Sequence, residues 1–451
     1  LANGLFRVTN RFYFTNLKKY MVHYSVTANN KVVRSGKVSL DIEPQASKEF
    51  TVPVGNLKPQ AGTEYFVNFN VTTVEKEPLI PIGHEIACDQ FRLPIESPKK
   101  AFKTSGPKLT VSTNGDNLSA SSSKVNFMFN KKTGIVTSYK VDGTEYFSEG
   151  FGIQPNFWRA PTDNDYGNGM PKRLQVWKES SKNFNVTDAT VTMDGNNAVV
   201  NVNYLLPAGN LYIVNYTIYP SGAVNVAARF TSTDMDAAQT EVSESTRTAT
   251  FTPGRDAARK EASKLNVPRI GVRFRLPASM NQVEYFGRGP AENYLDRNAG
   301  SMVGLYKSTA EELYFPYVRP QENGHHTDTR WVSLSTGKKG LLIQADNTIG
   351  FNALRNSIED FDDEEATGLS RQWSNFTPEQ VANHDEAAAK NVLRRQHHIN
   401  DITPRDFVEV CVDLKQQGVA GYDSWGSRPE PAYTLPANRE YNWGFTLIPL
   451  K

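Results

Sequence analysis

The sequence has little cysteine: Cys88 and Cys411 are the two thiols among 451 residues. Two cysteines cannot form a structural zinc site by themselves, because such a site needs four ligands. Both are flanked by residues typical of β-strands, so we expect two buried free thiols, although one disulfide would also satisfy the count. The cysteine content therefore leaves the compartment, cytoplasm or periplasm, open.

An excess of one charge and a long apolar run are also missing. Lys plus Arg total 50 and Asp plus Glu total 48, which gives a formal net charge of +2. This balance leaves no electrostatic footprint for nucleic acid or an anionic membrane. No apolar run approaches the ~20 residues of a transmembrane helix, and no basic-then-apolar leader is present. We therefore expect a soluble chain without nucleic-acid or membrane partners.

Strands do not alternate with helices along the sequence, so a (β/α)₈ barrel is not expected. No Gly-rich nucleotide-binding loop and no HExxH zinc motif occurs either. The main helical signal is a capping box at Thr377–Gln380, which predicts a helix over Val381–Leu393. Residues 233–265 are polar and rich in Ser and Thr, and they predict a surface insertion.

What the sequence does contain is β-structure. Strand-like segments such as Phe12–Leu17, Tyr20–Ala28 and Glu64–Val74 recur at roughly ten-residue spacing, separated by turn-forming residues. This rhythm predicts an immunoglobulin-like β-sandwich over residues 1–94.

A Pro-rich, charged segment at residues 95–107 predicts a linker. From residue 108 to residue 451 strand-like segments dominate again, for example Val224–Phe230 and Arg269–Leu276. No second clear linker interrupts this region, so we expect one large β-sandwich. The fold class predicted for the whole chain is all-β.

Four segments combine aromatic rings with Gly, Pro, Asn and charged residues, as loops do. They are residues 157–167, 286–297, 316–331 and 421–426. Sugar recognition needs flat aromatic faces and groups that form paired hydrogen bonds, and these segments supply both. The alternative is that these segments form buried Arg–carboxylate networks, in which they supply hydrogen-bond partners to each other's backbone groups.

Few groups in these segments point to a specific chemistry. Asp163 and Asp165 would make a weak oxygen site, but spacing places no further ligand, so no metal site is predicted. Glu292 and Glu322 are candidates for the two carboxylates of glycoside hydrolysis, although nothing in the sequence brings them together. His325, close to Glu322, is a candidate for acid–base work.

The same segments resemble a known family. They are similar, in the family's order, to the C-terminal part of lac-type β-galactosidases, which are family-two glycoside hydrolases. The motifs are RAPTDNDYG (159–167), GRGPAENYLDR (287–297), PYVRPQENGHHTDTRW (316–331) and GYDSWGSRP (421–429), and GHEIACDQFRL (83–93) resembles the family's second immunoglobulin-like domain. The resemblance covers almost the whole chain and is weak at 233–265 and 362–393, where we expect insertions.

The resemblance implies that residues 108–451 form a supersandwich similar to the galactose mutarotase fold. It also implies that the catalytic glutamates and the magnesium ligands lie in a barrel that precedes residue 1. This fragment would then hold no catalytic residue and no cofactor, and it would be inactive alone. The implied partners are the upstream barrel, a β-galactoside substrate and, for the full-length enzyme, further copies in a homo-oligomer.

One substrate contact is implied as well. In the family the last domain lends the active site a tryptophan that stacks on the galactoside, and Trp425, in the motif DSWG, matches it. A plug at a domain interface is the alternative role for a Trp in such a Gly-rich loop. The remaining candidate cleft residues, for which no catalytic role is implied, are Arg159, Asn164, Glu292, Glu322, His325 and Asp423.

The predicted function is therefore that of the non-barrel, C-terminal portion of a retaining β-galactosidase that hydrolyses terminal β-galactosides. It would support the barrel and contribute an aromatic residue that stacks on the sugar. Two alternatives remain. One is a stand-alone carbohydrate-binding module, and the other is an aldose epimerase-like enzyme that uses His325 and Glu322 as base and acid.

Overall fold

A computed structural model describes residues 3–231, 265–362, 398–423 and 426–451. The predicted insertions apart from their end residues, the predicted helix Val381–Leu393 and Trp425 lie outside the described residues. The chain divides into two compact units. Unit one comprises Leu1–Phe102 and Ala299–Leu305, and unit two comprises Lys103–Asn298 and Tyr306–Lys451.

Unit one contains two antiparallel sheets around its own hydrophobic core. Its strands are β1 (Leu5–Thr9), β2 (Tyr20–Ala28), β3 (Lys31–Val38), β4 (Ser47–Thr51), β5 (Tyr65–Thr73) and β6 (Glu85–Arg92). One sheet pairs β1 with β4, and the other has the order β3-β2-β5-β6. Phe6 from the first sheet meets Phe69 from the second edge to face, with ring centroids 4.9 Å apart. The immunoglobulin-like character of this unit stays a prediction.

The segment Phe12–Leu17 is not a strand, and that prediction is wrong. The buried side chain of Asn10 donates to the carbonyls of Thr15 and Ile42, at 2.8 and 2.9 Å, and accepts from the Phe12 amide. A side chain that takes up backbone groups in this way competes with a strand ladder. The result is an irregular loop in which Tyr13 and Phe14 are exposed.

Unit two begins with a five-stranded antiparallel sheet and continues into a larger sheet. The strands of the first are β7 (Thr110–Asn114), β8 (Asn117–Ser121), β9 (Val125–Asn130), β10 (Ile135–Val141) and β11 (Thr144–Glu145). The remaining strands are β12 (Gln154–Asn156), β13 (Asn185–Asp194), β14 (Asn197–Leu205), β15 (Leu211–Ile218), β16 (Val224–Phe230), β17 (Arg269–Pro277), β18 (Gln282–Gly289), β19 (Met302–Thr309), β20 (His326–Ser335), β21 (Gly340–Leu354), β22 (Phe407–Gln416) and β23 (Tyr441–Leu450).

The larger sheet runs in the order β12-β17-β22-β21-β23-β16-β15-β14-β13, and β20 joins β21 to β18. In β14, β15 and β16 every second residue is buried, as expected for strands with one face on a core. Tyr216 on β15 contacts Phe127 of the five-stranded sheet, with ring centroids 5.6 Å apart. The two sheets therefore share one hydrophobic core.

The central strands β17 and β22 differ, because both of their faces are buried. One face of β17 is apolar, but the other carries Arg269, Arg273 and Arg275. On β22, Glu409 lies opposite Arg275, and Asp413 lies opposite Gly271. Unit two therefore encloses a polar sheet face as well as an apolar one.

Helices are short in the described residues. They are α1 (Asp163–Gly167), α2 (Met170–Arg173), α3 (Gln175–Ser180) and α4 (Ile358–Phe361), with 3₁₀ turns at Leu17–Lys19, Ser148–Gly150, Ile399–Asp401 and Pro431–Tyr433. None of the described helices is long and apolar enough to cross a membrane. The prediction of an all-β chain is confirmed.

Both cysteines are free in the structure. Cys411 on β22 is buried, as predicted, but the prediction is wrong for Cys88, which is exposed. Cys88 lies on β6, which ends its sheet and pairs with β5 alone, and most of the side chains of β6 face solvent. A strand at the end of a sheet has fewer neighbours that could bury its side chains, so its strand-like sequence did not imply a buried cysteine.

Phe157 provides a test of the shared core. Its side chain is fully buried, and its ring lies 5.1 Å from that of Tyr212 and 5.8 Å from that of Phe230. We expect Phe157→Ala to lower the free energy of unfolding by about 3–5 kcal/mol, because it leaves a cavity that the sheets cannot close. Urea unfolding followed by tryptophan fluorescence measures the loss.

The matched control is Phe315→Ala, since the Phe315 side chain is about half exposed. Its loss should be clearly smaller. Equal losses for the two variants would contradict the assignment of Phe157 to a tightly packed core.

Candidate functional site

Arg159 lies at the centre of a buried cluster formed by the first motif segment and the residues at the end of β22 and just after it. Its side chain is inaccessible to solvent, and Nε and Nη2 donate to the two carboxylate oxygens of Asp165 at 3.0 Å each. Nη1 donates to the carbonyl of Gln417 at 2.7 Å, and Nη2 donates to that of Gly418 at 3.1 Å. The guanidinium thus ties the RAPTDNDYG motif to the chain that follows β22.

Asp296 binds the next two residues through their amides, whereas Arg159 binds carbonyls. One carboxylate oxygen accepts from the amide of Val419 at 2.9 Å, and the other accepts from that of Ala420 at 2.8 Å. Ala420 and Gly421 adopt positive φ angles of 57° and 98°. The left-handed conformation of Ala420 is unfavourable for a residue with a side chain, and the Asp296 contacts help to hold it.

Asn164 on α1 binds the same loop from a third direction. In the amide orientation that satisfies its neighbours, it donates to the carbonyl of Asp423 at 3.1 Å and accepts from the amide of Gly421 at 3.0 Å. The carboxylate of Asp423 accepts from the amide of Ser427 at 3.3 Å. Three of the predicted cleft residues, Arg159, Asn164 and Asp423, are therefore brought together where the chain approaches residues 424 and 425.

Arg269 is the centre of a second buried network, on the polar face of β17. Its Nη2 donates to Glu322 Oε1 and to Asn352 Oδ1, both at 2.9 Å. Its Nε forms an ion pair with Asp413 Oδ2 at 3.2 Å, although the two groups are not aligned as a hydrogen bond. Glu322 Oε1 also accepts from Asn352 and Gln416. One cation therefore joins β17, β21, β22 and the 316–331 segment.

His325 lies within this network, and its side chain is buried. Its Nδ1 donates to Asn352 Oδ1 at 2.9 Å, and its ring stacks on Tyr294, with centroids 5.6 Å apart. Burial, together with the charge of Arg269, holds the pKa of His325 well below its usual range. The imidazole is therefore neutral, with its proton on Nδ1.

Asp413 is perturbed in the opposite direction. Burial raises the pKa of Asp413 to about 7, and the positive charge of Arg269 only partly offsets that effect. The group consequently titrates near neutrality inside the sheet.

Glu292 forms a separate structural contact. Its carboxylate accepts from the amide of Gly324 at 2.7 Å, from Arg297 at 2.9 Å and from the hydroxyl of Tyr317. It thereby joins the 286–297 segment to the 316–331 segment. The structure gives no direct contact between Glu292 and Glu322.

The two aspartates of the first motif have different partners. Both oxygens of Asp165 are occupied by Arg159, and Asp163 accepts from Gln321 at 3.0 Å. Among the residues that the structure describes, no group of three His, Cys, Asp or Glu side chains is arranged to hold a metal ion.

Arg269, Asn352 and Asp413 were not among the predicted site residues. The sequence pattern that could have indicated Arg269 and Asp413 is the alternation of charged and apolar residues in RIGVRFRL (269–276) and VEVCVDLK (408–415). Such alternation usually indicates a strand with one face in solvent. In this fold the 316–331 segment and α4 contact that face.

Comparisons with known proteins give one answer along the whole chain. Residues 121–447 match the family model described as the β-galactosidase small chain, and residues 6–94 match that for β-galactosidase domain 4. The β-galactosidase of Priestia megaterium is 30% identical over all of this chain, and that of Streptococcus thermophilus is 24% identical over 98% of it. The chain belongs to the β-galactosidase family.

The chain matches only part of the length of these relatives. It spans 38% of the length of the Priestia protein and 37% of the Streptococcus protein. Among solved structures, it is similar over 76% of its length to galactose 1-epimerase from Lactobacillus acidophilus, with a TM-score of 0.38 and 7% identity.

The buried His325 predicts a pH dependence of the stability of this chain. A folded-state pKa below the unfolded value of about 6.5 means that the unfolded chain takes up a proton first as the pH falls. The stabilisation is therefore present above about pH 6.5 and is lost below it. In His325→Asn, which retains a donor for Asn352, the difference in unfolding free energy from the wild type should shrink as the pH is lowered.

Urea unfolding at several pH values between about 7.5 and 5 measures this difference. The control is His398→Asn, because the His398 side chain is 80% exposed. This variant should follow the wild-type profile. A difference that stays constant or widens for His325→Asn would contradict a neutral, enclosed imidazole.

Proposed function

We propose that this chain is the non-barrel, C-terminal portion of a retaining β-galactosidase that acts on terminal β-galactosides. The observation that carries the proposal is its alignment over its full length with a β-galactosidase of which it spans 38%. The hydrolytic machinery would then lie in the remaining part of the full-length protein. The partners proposed are that catalytic portion, a β-galactoside and further copies of the full-length enzyme.

The contribution of this chain to the reaction would be to position Trp425. An aromatic face can bind the C–H side of a galactose ring only if its loop is held in place. Arg159 and Asp296 fix the backbone of residues 417–420, and Asn164 fixes that of Gly421 and Asp423. These contacts support a rigid backbone in the residues that precede the tryptophan.

The carboxylates within the described residues give less support to chemistry in this chain. Retaining hydrolysis needs two carboxyl groups about 5 Å apart that face one sugar. Glu292 is bound by Gly324, Arg297 and Tyr317, and Glu322 accepts three internal bonds on Oε1. We therefore assign the acid, the nucleophile and the magnesium ligands to the catalytic barrel of the full-length protein.

The enclosed His325 also gives no support to an epimerase-like mechanism. Its proton is committed to Asn352, and its side chain is about 1% exposed. An acid–base catalyst must reach the substrate directly or through one water molecule.

The purified 451-residue chain should not hydrolyse a chromogenic β-galactoside, even at high protein concentration, because it would lack the nucleophile. Release of nitrophenol over hours measures the rate, and the full-length enzyme serves as the positive control. Turnover that survives repurification and disappears in Glu322→Gln or Glu292→Gln would place a complete active site in this chain.

In the full-length enzyme, Trp425→Ala should lower kcat/KM for a β-galactoside by about tenfold or more, since loss of a buried aromatic contact costs about 2 kcal/mol. Trp425→Phe should retain part of the activity because it keeps a flat ring. The control is Trp443→Phe, whose ring packs on Phe445 within β23. Unchanged KM and kcat in Trp425→Ala would rule out the stacking role.

A further inference from the structure

An exposed aromatic loop connects β1 to β2 in unit one. Phe14 is 96% exposed and Tyr13 is 76% exposed, although both carry large apolar rings. Their ring centroids lie 6.3 Å apart. Single exposed apolar residues are common on soluble proteins, but adjacent aromatic residues with both rings in solvent are typical of interaction surfaces.

The backbone of this loop is fixed by two side chains. Asn10 binds the carbonyl of Thr15. Gln45 Nε2 donates to the carbonyls of Arg11 and Phe12, at 3.0 and 2.9 Å. An aromatic side chain on a fixed backbone loses little conformational entropy when a partner covers it, so it is suited to anchor an interface.

A second apolar group lies at the tip of the β5–β6 hairpin. Leu79 is fully exposed, and Ile82 is 65% exposed. Leu79 occupies the second central position of a turn in which the Ile80 amide donates to the Glu77 carbonyl at 3.1 Å. Its φ is 67°, a conformation that favours glycine at this position. A leucine that is exposed and also unfavourable for the backbone points to a use for its side chain.

The aromatic loop and the hairpin tip lie at the same end of unit one. Tyr20, at the start of β2, is opposite Thr73, at the end of β5. The ring of Phe12 stacks on that of Tyr20, with centroids 5.8 Å apart, and Lys19 forms an ion pair with Glu77. The two groups therefore share one surface, the apolar end of unit one, formed by Tyr13, Phe14, Leu79 and Ile82.

Charge distinguishes a protein partner from a lipid surface. The segments at this end, residues 10–20, 41–43 and 75–77, carry four basic and four acidic side chains, which are Arg11, Lys18, Lys19 and Lys76 against Asp41, Glu43, Glu75 and Glu77. Binding to an anionic membrane relies on a cluster of basic side chains, and this balance does not supply one. The apolar end therefore favours a protein partner.

The place of the loop in the chain identifies that partner. The chain spans 38% of the Priestia β-galactosidase, and in the proposed function the catalytic barrel precedes residue 1. The loop follows β1, whose five residues extend about 17 Å. A barrel of about 250 residues has a radius of gyration of about 18 Å, so it can reach the loop from a junction before β1 without a long linker.

We propose that the apolar end of unit one docks onto the catalytic barrel of the same full-length protein, with Tyr13, Phe14, Leu79 and Ile82 as its anchors. This inference rests on the proposed function, because that function supplies the barrel. Unit one then holds the barrel in a fixed position and is more than a spacer within the chain.

Hydroxyl-radical footprinting with mass spectrometry tests this contact on the 451-residue chain and on the full-length enzyme. The oxidation rates of Tyr13 and Phe14 should be about tenfold lower in the full-length enzyme, since an anchor residue is almost completely desolvated in its interface.

The double variant Phe14→Ser/Leu79→Ser should raise the oxidation rate of Tyr13 in the full-length enzyme about threefold or more, because loss of two anchors opens the contact. The same variant should change the Tyr13 rate little in the 451-residue chain, where nothing covers the ring. The matched control is Val32→Ser/Val33→Ser on β3, which removes two other exposed apolar side chains of unit one and should leave the Tyr13 rate unchanged in both proteins.

Equal rates for Tyr13 and Phe14 in the two proteins would overturn the docking. Protection that disappears when the enzyme is diluted to monomers would assign the loop to a second copy, and protection that requires phosphatidylglycerol vesicles would assign it to lipid; each would also overturn it. Footprinting does not depend on catalysis. A full-length protein that protects the loop but does not hydrolyse a β-galactoside would contradict the proposed function alone, whereas an active enzyme with an exposed loop would contradict the docking alone.

Discussion

The buried guanidinium of Arg269 is the interaction on which the interior of unit two depends. It donates hydrogen bonds to Glu322 and Asn352 and forms an ion pair with Asp413, and these partners come from a loop and two different strands. A cation removed from water is costly unless its partners are all in place, and removal of one partner typically costs about 3–5 kcal/mol. The position of the 316–331 segment is therefore coupled to the register of the central strands.

The same requirement explains why polar segments cover this side of the sheet. Arg269, Arg273, Glu409 and Asp413 would face solvent in a simple antiparallel sheet. Instead, the 316–331 segment contacts Arg269 and Asp413, and α4 contacts Arg273 and Glu409. Each segment brings its own polar groups, and Arg159 with Asp165 repeats the pattern of a paired, enclosed cation. The covering segments supply hydrogen-bond partners for the buried side chains of the strands, and these side chains in turn hold the segments in one conformation.

The loop that follows β22 is held by backbone contacts to Arg159, Asp296 and Asn164, which suits the positioning of a residue beyond it. This arrangement fits the proposed contribution to an active site that another part of the protein completes.

The sequence by itself determined the all-β class and most strand positions, because alternating and β-branched segments such as Val224–Phe230 depend on local pattern. It also determined the family, through motifs that are contiguous in the chain. Only the tertiary structure decided that the charged face of RIGVRFRL is buried, that Asn10 prevents a strand at Phe12–Leu17, and that Glu322 pairs with Arg269. These features depend on groups that are far apart in the chain. The burial and the hydrogen-bond partners of a side chain are set by which segments meet in the fold, whereas the order of residues within a segment sets only its local structure.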